Sequence, residues 1–286
     1  MTSLHESFRG AAGNRLAADV FGDAGAPVLL LHGGGQTRHA WRRTAVEIAR
    51  AGMTAYAVDQ RGHGDSEWVA DGAYRFKDFA DDITAVAAEL TRRHGAPPVA
   101  IGASLGGIAS LLAAGEAKHP IFAALVLVDI TPRVDLAGVA KVQGFMRAHA
   151  REGFASVEEA ADAVAAYLPH RPRPRSTEGL KKNLRLHPDG RWRWHWDPRF
   201  LDGRRPVGGH RSEVEAQLLG AARELKIPAM LVRGGSSELV QEEHAKEFLA
   251  LVPHARFADV SGARHMVAGD KNDQFSVAIM AFLNDL

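Results

Sequence analysis

A serine between two glycines is the first residue whose surroundings suggest chemistry. Ser104 lies in the stretch IGASLGG, where Gly102, Ser104 and Gly106 match the pattern G-x-S-x-G. An apolar run precedes it and helical spacing begins at Leu105, so the serine falls on a sharp strand-to-helix turn. Such a turn exposes the hydroxyl and needs small neighbours. The pattern predicts a nucleophile; the alternative is a glycine-rich junction with an incidental serine.

A run of glycines follows an earlier apolar segment. The stretch LLLHGGGQ places Gly33, Gly34 and Gly35 directly after His32. A loop without side chains lets backbone N–H groups approach a carbonyl oxygen closely. A phosphate-binding loop is the alternative, but no lysine–serine or lysine–threonine pair follows, and G-x-G-x-x-G is absent. The run therefore favours a site for developing negative charge, with a structural role for His32.

The elements that must position these motifs follow a regular alternation. Short apolar runs predict strands buried on both faces, as in a parallel sheet. They occupy residues 27–33, 53–59, 97–104, 122–130, 227–235 and 255–260. Helical spacing is found at residues 40–50, 76–93, 105–114, 242–251 and 275–286. The alternation predicts an α/β fold with a mostly parallel central sheet flanked by helices, where functional groups gather at the carboxyl ends of the strands.

The alternation stops between about residues 132 and 212. This segment is first alanine-rich with helical spacing, then basic and proline-rich, then aromatic in the stretch GRWRWHWDPRFL. We expect it to be an insertion that folds over one edge of the sheet. The expected domains are a core formed by residues 1–131 and 213–286, and an inserted subdomain formed by residues 132–212.

Composition limits the function classes. A chain of 286 residues with 46% hydrophobic residues is long enough to bury a core without disulfides or metals. The net charge of +1 gives no argument for nucleic acid as the main partner. The lack of cysteine excludes thiolate nucleophiles. We find neither a signal peptide nor an apolar run that could span a membrane, and therefore expect a cytoplasmic protein with a small-molecule substrate.

Together the motifs resemble those of the α/β-hydrolase family, specifically its serine-nucleophile hydrolases with a cap. The resemblance covers nearly the whole chain. It depends on HGGG at 32–35, DQRGHGDS at 59–66, GASLGG at 102–107, GGSSELV at 234–240 and GARHM at 262–266. It implies an α/β-hydrolase fold, a helical cap at 132–212 inserted after the sixth core strand, and no metal or organic cofactor. The implied oxyanion donors are the backbone N–H groups of Gly34 and Leu105.

The base and acid follow partly from the residues and partly from this resemblance. A serine needs a base, and histidine suits neutral pH. Among fourteen histidines, His265 is preferred, because it follows the last predicted strand and fits the family order of serine, acid and histidine. Glu238, after the strand AMLVRGG, has the family's spacing for the acid and is the preferred choice. Asp129, at the end of the strand ALVLVDI, is the alternative.

The expected reaction is hydrolysis of an ester, lactone or thioester through an acyl-enzyme, as in carboxylesterases. The same triad could instead support carbon–carbon bond hydrolysis, elimination or perhydrolysis, and a non-catalytic ligand receptor is a further alternative. Aromatic residues indicate an apolar or aromatic acyl or alcohol part in the substrate. The pocket candidates are Trp41, Trp68, Phe145, Trp192, Trp194 and Trp196. The sequence leaves the oligomeric state open.

Overall fold

A computed structural model of the chain describes residues 2–169, 176–265 and 272–286. Most of the basic, proline-rich stretch of the inserted segment lies outside these residues, as does Met266, the last residue of the motif GARHM. Strands and α-helices in the described parts are numbered β1–β10 and α1–α10 in chain order. Among these residues, no helix is long and apolar enough to cross a membrane.

Eight strands form the main sheet, in the order β1-β2-β4-β3-β5-β6-β9-β10. They are Leu4–Arg9 (β1), Arg15–Phe21 (β2), Pro27–Leu31 (β3), Thr54–Val58 (β4), Val99–Ala103 (β5), Ala124–Val128 (β6), Ala229–Gly234 (β9) and Arg256–Val260 (β10). Strand β2 is antiparallel to both of its neighbours, and all other adjacent pairs are parallel. The mostly parallel sheet predicted from the alternation is confirmed.

The burial of a strand determines whether its sequence shows a continuous apolar run. Every residue of β3, β4 and β6 is buried, and these strands read as continuous apolar runs. Strand β10 differs from the prediction of burial on both faces, because it lies at the edge of the sheet; its Phe257 is 43% exposed. Strand β2 is buried but includes Asp19, which pairs with Arg38 and interrupts the apolar pattern.

Helices cover both faces of the sheet. One hydrophobic cluster contains residues of α2, α3, α8 and α9, and the other contains residues of α1 and α10. The bounds are Arg42–Arg50 (α1), Phe76–His94 (α2), Leu105–Glu116 (α3), Leu136–Ala148 (α4), Val157–Tyr167 (α5), Glu178–Lys181 (α6), Arg199–Asp202 (α7), Arg211–Glu224 (α8), Glu242–Leu251 (α9) and Asn272–Asn284 (α10). A 3-10 helix, Arg38–Trp41, precedes α1.

The chain between β6 and β9 contains α4 to α8 and a two-stranded hairpin, and α4 to α7 with the hairpin lie in the part expected to be an inserted segment, residues 132–212. The hairpin strands are Leu184–Leu186 (β7) and Trp192–Trp194 (β8). Helix α8 begins at Arg211, so the core boundary expected at residue 213 falls inside this helix. Helix α8 packs closely on α3 of the core, since a Cβ atom on Gly115 would lie 2.2 Å from the Cβ of Ala221.

Candidate active site

Ser104 occupies the turn between β5 and α3. Its φ of 45° and ψ of −108° lie in a region that non-glycine residues rarely adopt, which costs about 1–3 kcal/mol. The backbone N–H of Ser104 donates to the Val128 carbonyl at 3.1 Å, which ties the turn to β6. The strained turn lifts the half-buried serine out of the strand at its carboxyl end.

The glycines around Ser104 are required by close backbone packing. A Cβ atom on Gly102 would lie 2.5 Å from the carbonyl group of Gly106, and one on Gly106 would lie 2.5 Å from the Leu31 carbonyl oxygen. A Cβ atom on Gly107 would meet the Ile130 side chain at 2.5 Å. Because real Cβ atoms do not approach so closely, larger residues would displace α3 from the sheet and shift the serine.

His265 and Asp129 form a hydrogen-bonded pair at the carboxyl ends of the strands. His265 Nδ1 donates to Asp129 Oδ2 at 2.7 Å. Asp129 follows β6 directly, is fully buried and has a φ of 50°. Its carboxylate also accepts from Ser237 Oγ at 2.5 Å and from the Gly234 N–H at 2.8 Å. A neutral imidazole that donates from Nδ1 keeps Nε2 as an acceptor, so this ring can take a proton.

Glu238, the preferred acid of the sequence analysis, is not the partner of the His265 ring. Its carboxylate pairs with Arg264 at 3.0 Å and with Lys141 of α4 at 3.7 Å. Burial raises the pKa of Glu238, but hydrogen bonds from Arg264 and from the backbone of Glu238 and His265 outweigh it and lower the pKa. The structure thus places Asp129 at the imidazole, because the strained end of β6 aims this carboxylate at it.

The glycine loop after β3 lies beside the serine. A Cβ atom on Gly33 would be 3.5 Å from Ser104 Cβ. Gly34 and Leu105, the expected oxyanion donors, both line the same cavity as Ser104. Among the described residues, no acceptor takes a hydrogen bond from either of these two N–H groups. Two free donors on either side of the nucleophile can bind a developing oxyanion.

Ser104 and His265 open into a cavity of about 990 Å³. Much of its wall is apolar and comes from the inserted segment. This part includes Val139, Val142, Phe145, Met146, Val164, Leu180, Trp194, Trp196, Phe200 and Leu201.

The aromatic pocket candidates divide into two groups. The cavity is lined by Trp41, Phe145, Trp194 and Trp196. Trp192 and Trp68 are not part of its lining. The backbone of Trp192 pairs with that of Phe154, and Trp68 is 39% exposed and donates to the His195 carbonyl. Pairing within the inserted segment thus takes Trp192 away from the pocket.

A metal site is not evident in the described parts of the chain, where no group of three histidine, aspartate or glutamate side chains is arranged to hold an ion. The arrangement of Ser104, His265 and Asp129 can support proton transfer and nucleophilic attack.

Comparison with known proteins identifies the family and the fold of the chain. Residues 26–271 match the family model described as the α/β hydrolase fold. Esterase Rv0045c from Mycobacterium tuberculosis is 32% identical over 262 residues, which cover 90% of this chain and 82% of the relative. The 2-(acetamidomethylene)succinate hydrolase from Mesorhizobium japonicum is 30% identical over 225 residues, which cover 75% of this chain and 73% of the relative.

A solved structure extends the similarity to the whole fold. The crystal structure of E-2-(acetamidomethylene)succinate hydrolase superposes with a TM-score of 0.84, at 23% identity and over 99% of each chain. The α/β-hydrolase fold and family predicted from the motifs are confirmed. The chain therefore belongs to the α/β-hydrolase family.

Proposed function

We propose that the chain is a serine hydrolase that cleaves small-molecule esters, lactones or thioesters through an acyl-enzyme. The observation that carries the proposal is one cavity that contains both the strained Ser104 and a His265 ring held by Asp129. The similarity to the Mycobacterium tuberculosis protein, which is named an esterase, supports the same reaction class.

In the proposed acylation step, Ser104 Oγ attacks the carbonyl carbon of the substrate. His265 Nε2 takes the hydroxyl proton as the new C–O bond forms, and then gives it to the leaving alcohol or thiol. Water next attacks the acyl-enzyme with His265 as base, the bond to Ser104 Oγ breaks, and His265 returns the proton to Oγ as the acid is released. Asp129 holds the imidazole in the tautomer that keeps Nε2 free and stabilises the imidazolium that forms in each step.

The negative charge on the substrate oxygen is assigned to the backbone donors of Gly34 and Leu105. Both N–H groups lie in the cavity with the nucleophile. Leu105 is the first residue of α3, so its N–H also carries the positive end of the helix dipole. Removal of one such donor in a serine hydrolase costs about 10²–10³-fold in kcat.

Asp129 is proposed as the triad acid in place of Glu238. The 2.7 Å hydrogen bond to the ring and complete burial both support Asp129. Glu238 is held instead by Arg264 and Lys141. In this arrangement, Glu238 anchors the backbone that carries His265 and leaves the ring to Asp129.

Residues 132–212 are proposed to form a cap over the site. The apolar wall that they contribute favours a substrate with an apolar or aromatic acyl or alcohol part. The cytoplasmic location remains a prediction from the sequence.

Hydrolysis of a bond other than an ester is the second candidate. The relative from Mesorhizobium japonicum is named for hydrolysis of 2-(acetamidomethylene)succinate. Carbon–carbon bond hydrolysis, elimination and perhydrolysis would also use the same triad. A panel of p-nitrophenyl esters, thioesters, anilides and a vinylogous diketone separates ester hydrolysis from amide and carbon–carbon bond hydrolysis, and failure on every ester with turnover of another substrate favours the second candidate.

The proposal is tested by comparing the wild-type protein and Ser104→Ala on p-nitrophenyl acetate and butyrate. We expect hydrolysis by the wild-type protein and a loss of at least about 10³-fold in kcat for the variant. Circular dichroism confirms that both are folded. Equal esterase activity in the two proteins would exclude Ser104 as the nucleophile.

A further inference from the structure

Three histidine rings are buried in contact behind the glycine loop. His32, His63 and His195 are each at most 1% exposed. The ring centroids of His32 and His63 are 5.3 Å apart, and those of His63 and His195 are 5.9 Å apart. The rings come from three places: the end of β3, the loop 59–66, and the inserted segment just after β8. The mechanism proposed above gives none of them a role.

Each ring is bonded to a different peptide unit of the loop 33–36. His32 Nδ1 donates to the Gly33 carbonyl at 2.8 Å. The Gly35 N–H donates to His63 Nε2 at 3.1 Å. His195 Nε2 donates to the Gly35 carbonyl at 3.3 Å. Each of the three consecutive peptide groups 33–34, 34–35 and 35–36 is therefore fixed by a hydrogen bond to one histidine.

This arrangement fixes the direction of the proposed oxyanion donor. The Gly33 carbonyl and the Gly34 N–H belong to one planar trans peptide and point in opposite directions. Because the His32 ring donates to the Gly33 carbonyl, the Gly34 N–H points away from that ring. A run of three glycines has no intrinsic preference for this conformation, and Gly35 adopts a φ of 77°. The bonds on the next two units restrict the rotations that would turn the Gly34 N–H.

The second nitrogen of His195 connects the inserted segment to the core. The Gly64 N–H donates to His195 Nδ1 at 2.5 Å. The Asp197 N–H donates to the Gly62 carbonyl at 2.9 Å, and Tyr74 Oη donates to Asp197 Oδ2 at 2.7 Å. His195 thus accepts from loop 59–66 and donates to loop 33–36 at the same time.

Such bonding requires neutral rings. Burial lowers the pKa of His32 to about 4 and that of His63 to about 3. The pKa of His195 is also well below its usual value, because of burial and of the nearby His63 and His32. Each ring at neutral pH then has one donor and one acceptor nitrogen, as the contacts require.

We propose that His195 is a positioning residue for the hydrolysis, which holds the glycine loop in the geometry that presents the Gly34 N–H to the oxyanion. Through His195, the inserted segment then contributes to the chemical step as well as lining the pocket. This inference rests on the proposed function. It concerns the stabilisation of the transition state, so it affects kcat more than KM.

Two substitutions at His195 separate its two hydrogen bonds. The side-chain amide of asparagine reaches the position of Nδ1, so His195→Asn keeps an acceptor for the Gly64 N–H and loses the donor to Gly35. The longer amide of glutamine reaches the position of Nε2, so His195→Gln keeps that donor and loses the acceptor at Nδ1. Tyr74→Phe is the matched control. It removes the bond to Asp197 beside His195 and the bond accepted from the Val69 N–H, and neither of these bonds involves loop 33–36.

The measurement is kcat and KM on p-nitrophenyl acetate, whose small acyl group is insensitive to the shape of the cavity, together with Tm. We expect His195→Asn to lose about tenfold or more in kcat with KM within about threefold, by analogy with the loss of an oxyanion donor. We expect His195→Gln and Tyr74→Phe to keep kcat within about threefold of the wild-type value.

The inference would be overturned if kcat fell in proportion to Tm in all three variants, because the losses would then reflect stability alone. An unchanged kcat in His195→Asn would also overturn it. If His195→Asn does not fold, a large loss of kcat in folded His195→Gln still overturns it. Failure of the proposed function is distinguishable, because the wild-type protein would then hydrolyse no ester, whatever residue occupies position 195.

Discussion

His265 Nδ1 donates a 2.7 Å hydrogen bond to Asp129 Oδ2 across a sequence separation of 136 residues. The bond joins the end of β6 to the loop after β10, two strands that both pair with β9 in the sheet. Asp129 makes this contact from a strained backbone conformation, with a φ of 50°. Both Ser104 and Asp129 are thus held in strained conformations at adjacent strand ends, where the surrounding hydrogen bonds maintain them.

Asp129→Asn tests the assignment of the acid. The amide cannot stabilise the imidazolium and favours the wrong tautomer of His265, so we expect a loss of about 10⁴-fold in kcat on p-nitrophenyl acetate. Glu238→Gln is the matched control, because it also replaces a carboxylate by an amide. We expect it to lose less than about tenfold in kcat. A severe loss in Glu238→Gln with an active Asp129→Asn would reverse the assignment.

Gly106→Ala tests the packing of α3 beneath the serine. Its methyl group would lie 2.5 Å from the Leu31 carbonyl oxygen, and we expect a loss of about 1–3 kcal/mol in the free energy of unfolding together with lower activity. Gly144→Ala in α4 is the control, since its methyl group would meet nothing within 4 Å. That variant should be about 0.5–1 kcal/mol more stable than the wild type in urea unfolding. Equal stability of the two variants contradicts the described packing.

The buried histidines predict a loss of stability in mild acid. His32 and His63 have a pKa of about 4 and about 3 in the folded state, against a reference of 6.5. Below pH 6.5 the unfolded state binds more protons than the folded state, so stability falls with falling pH. Between pH 7 and pH 5 each histidine should remove about 2 kcal/mol from the free energy of unfolding.

Urea unfolding at pH 7, 6 and 5 measures this loss. The window lies above the range in which most carboxylates titrate, so the slope reports mainly on histidines. His119→Gln, a substitution of an exposed histidine, should leave the slope unchanged. A free energy of unfolding that stays constant over this range would show that the buried rings are already charged or accessible in the folded state.

Phe145→Ala tests the apolar wall of the cavity. Phe145 stacks on Tyr167 with ring centroids 4.1 Å apart and lines the pocket. Loss of this ring should lower kcat/KM for p-nitrophenyl octanoate or benzoate by roughly tenfold, with little change for the acetate. Leu186→Ala, at an exposed position of the same inserted segment, is the control. An equal effect on all esters would mean that the ring acts on folding instead of substrate selection.

The sequence predicts those parts of the molecule that depend on local patterns. Strands β3 to β6 are continuous apolar runs because helices cover both faces of the sheet. The turn at Ser104 is predictable because few residues besides glycine fit beside it. The N-terminal strands β1 and β2 are not predicted, because β1 is mostly exposed and the buried Asp19, which pairs with Arg38, interrupts the apolar run of β2.

The choice of acid and the histidine cluster depend on tertiary contacts that no local pattern encodes. Glu238 and Asp129 both follow buried strands. In the fold, Asp129 bonds the His265 ring from a strained backbone, and Glu238 pairs with Arg264 and Lys141 instead. His195 contacts Gly35 across 160 residues, through the packing of the inserted segment. The stretch RWRWHWDPRF suggested only its tryptophans as functional, although the histidine among them reaches the glycine loop.

The central claim is that Ser104 forms a covalent bond during the reaction. Intact mass spectrometry after treatment with a fluorophosphonate tests it directly, because the reagent reacts with an activated serine and leaves a stable adduct. We expect one adduct on the wild-type protein, located on the peptide that contains Ser104, and none on folded Ser104→Ala. A wild-type protein that hydrolyses esters without forming this adduct, or equal labelling of Ser104→Ala, would contradict it.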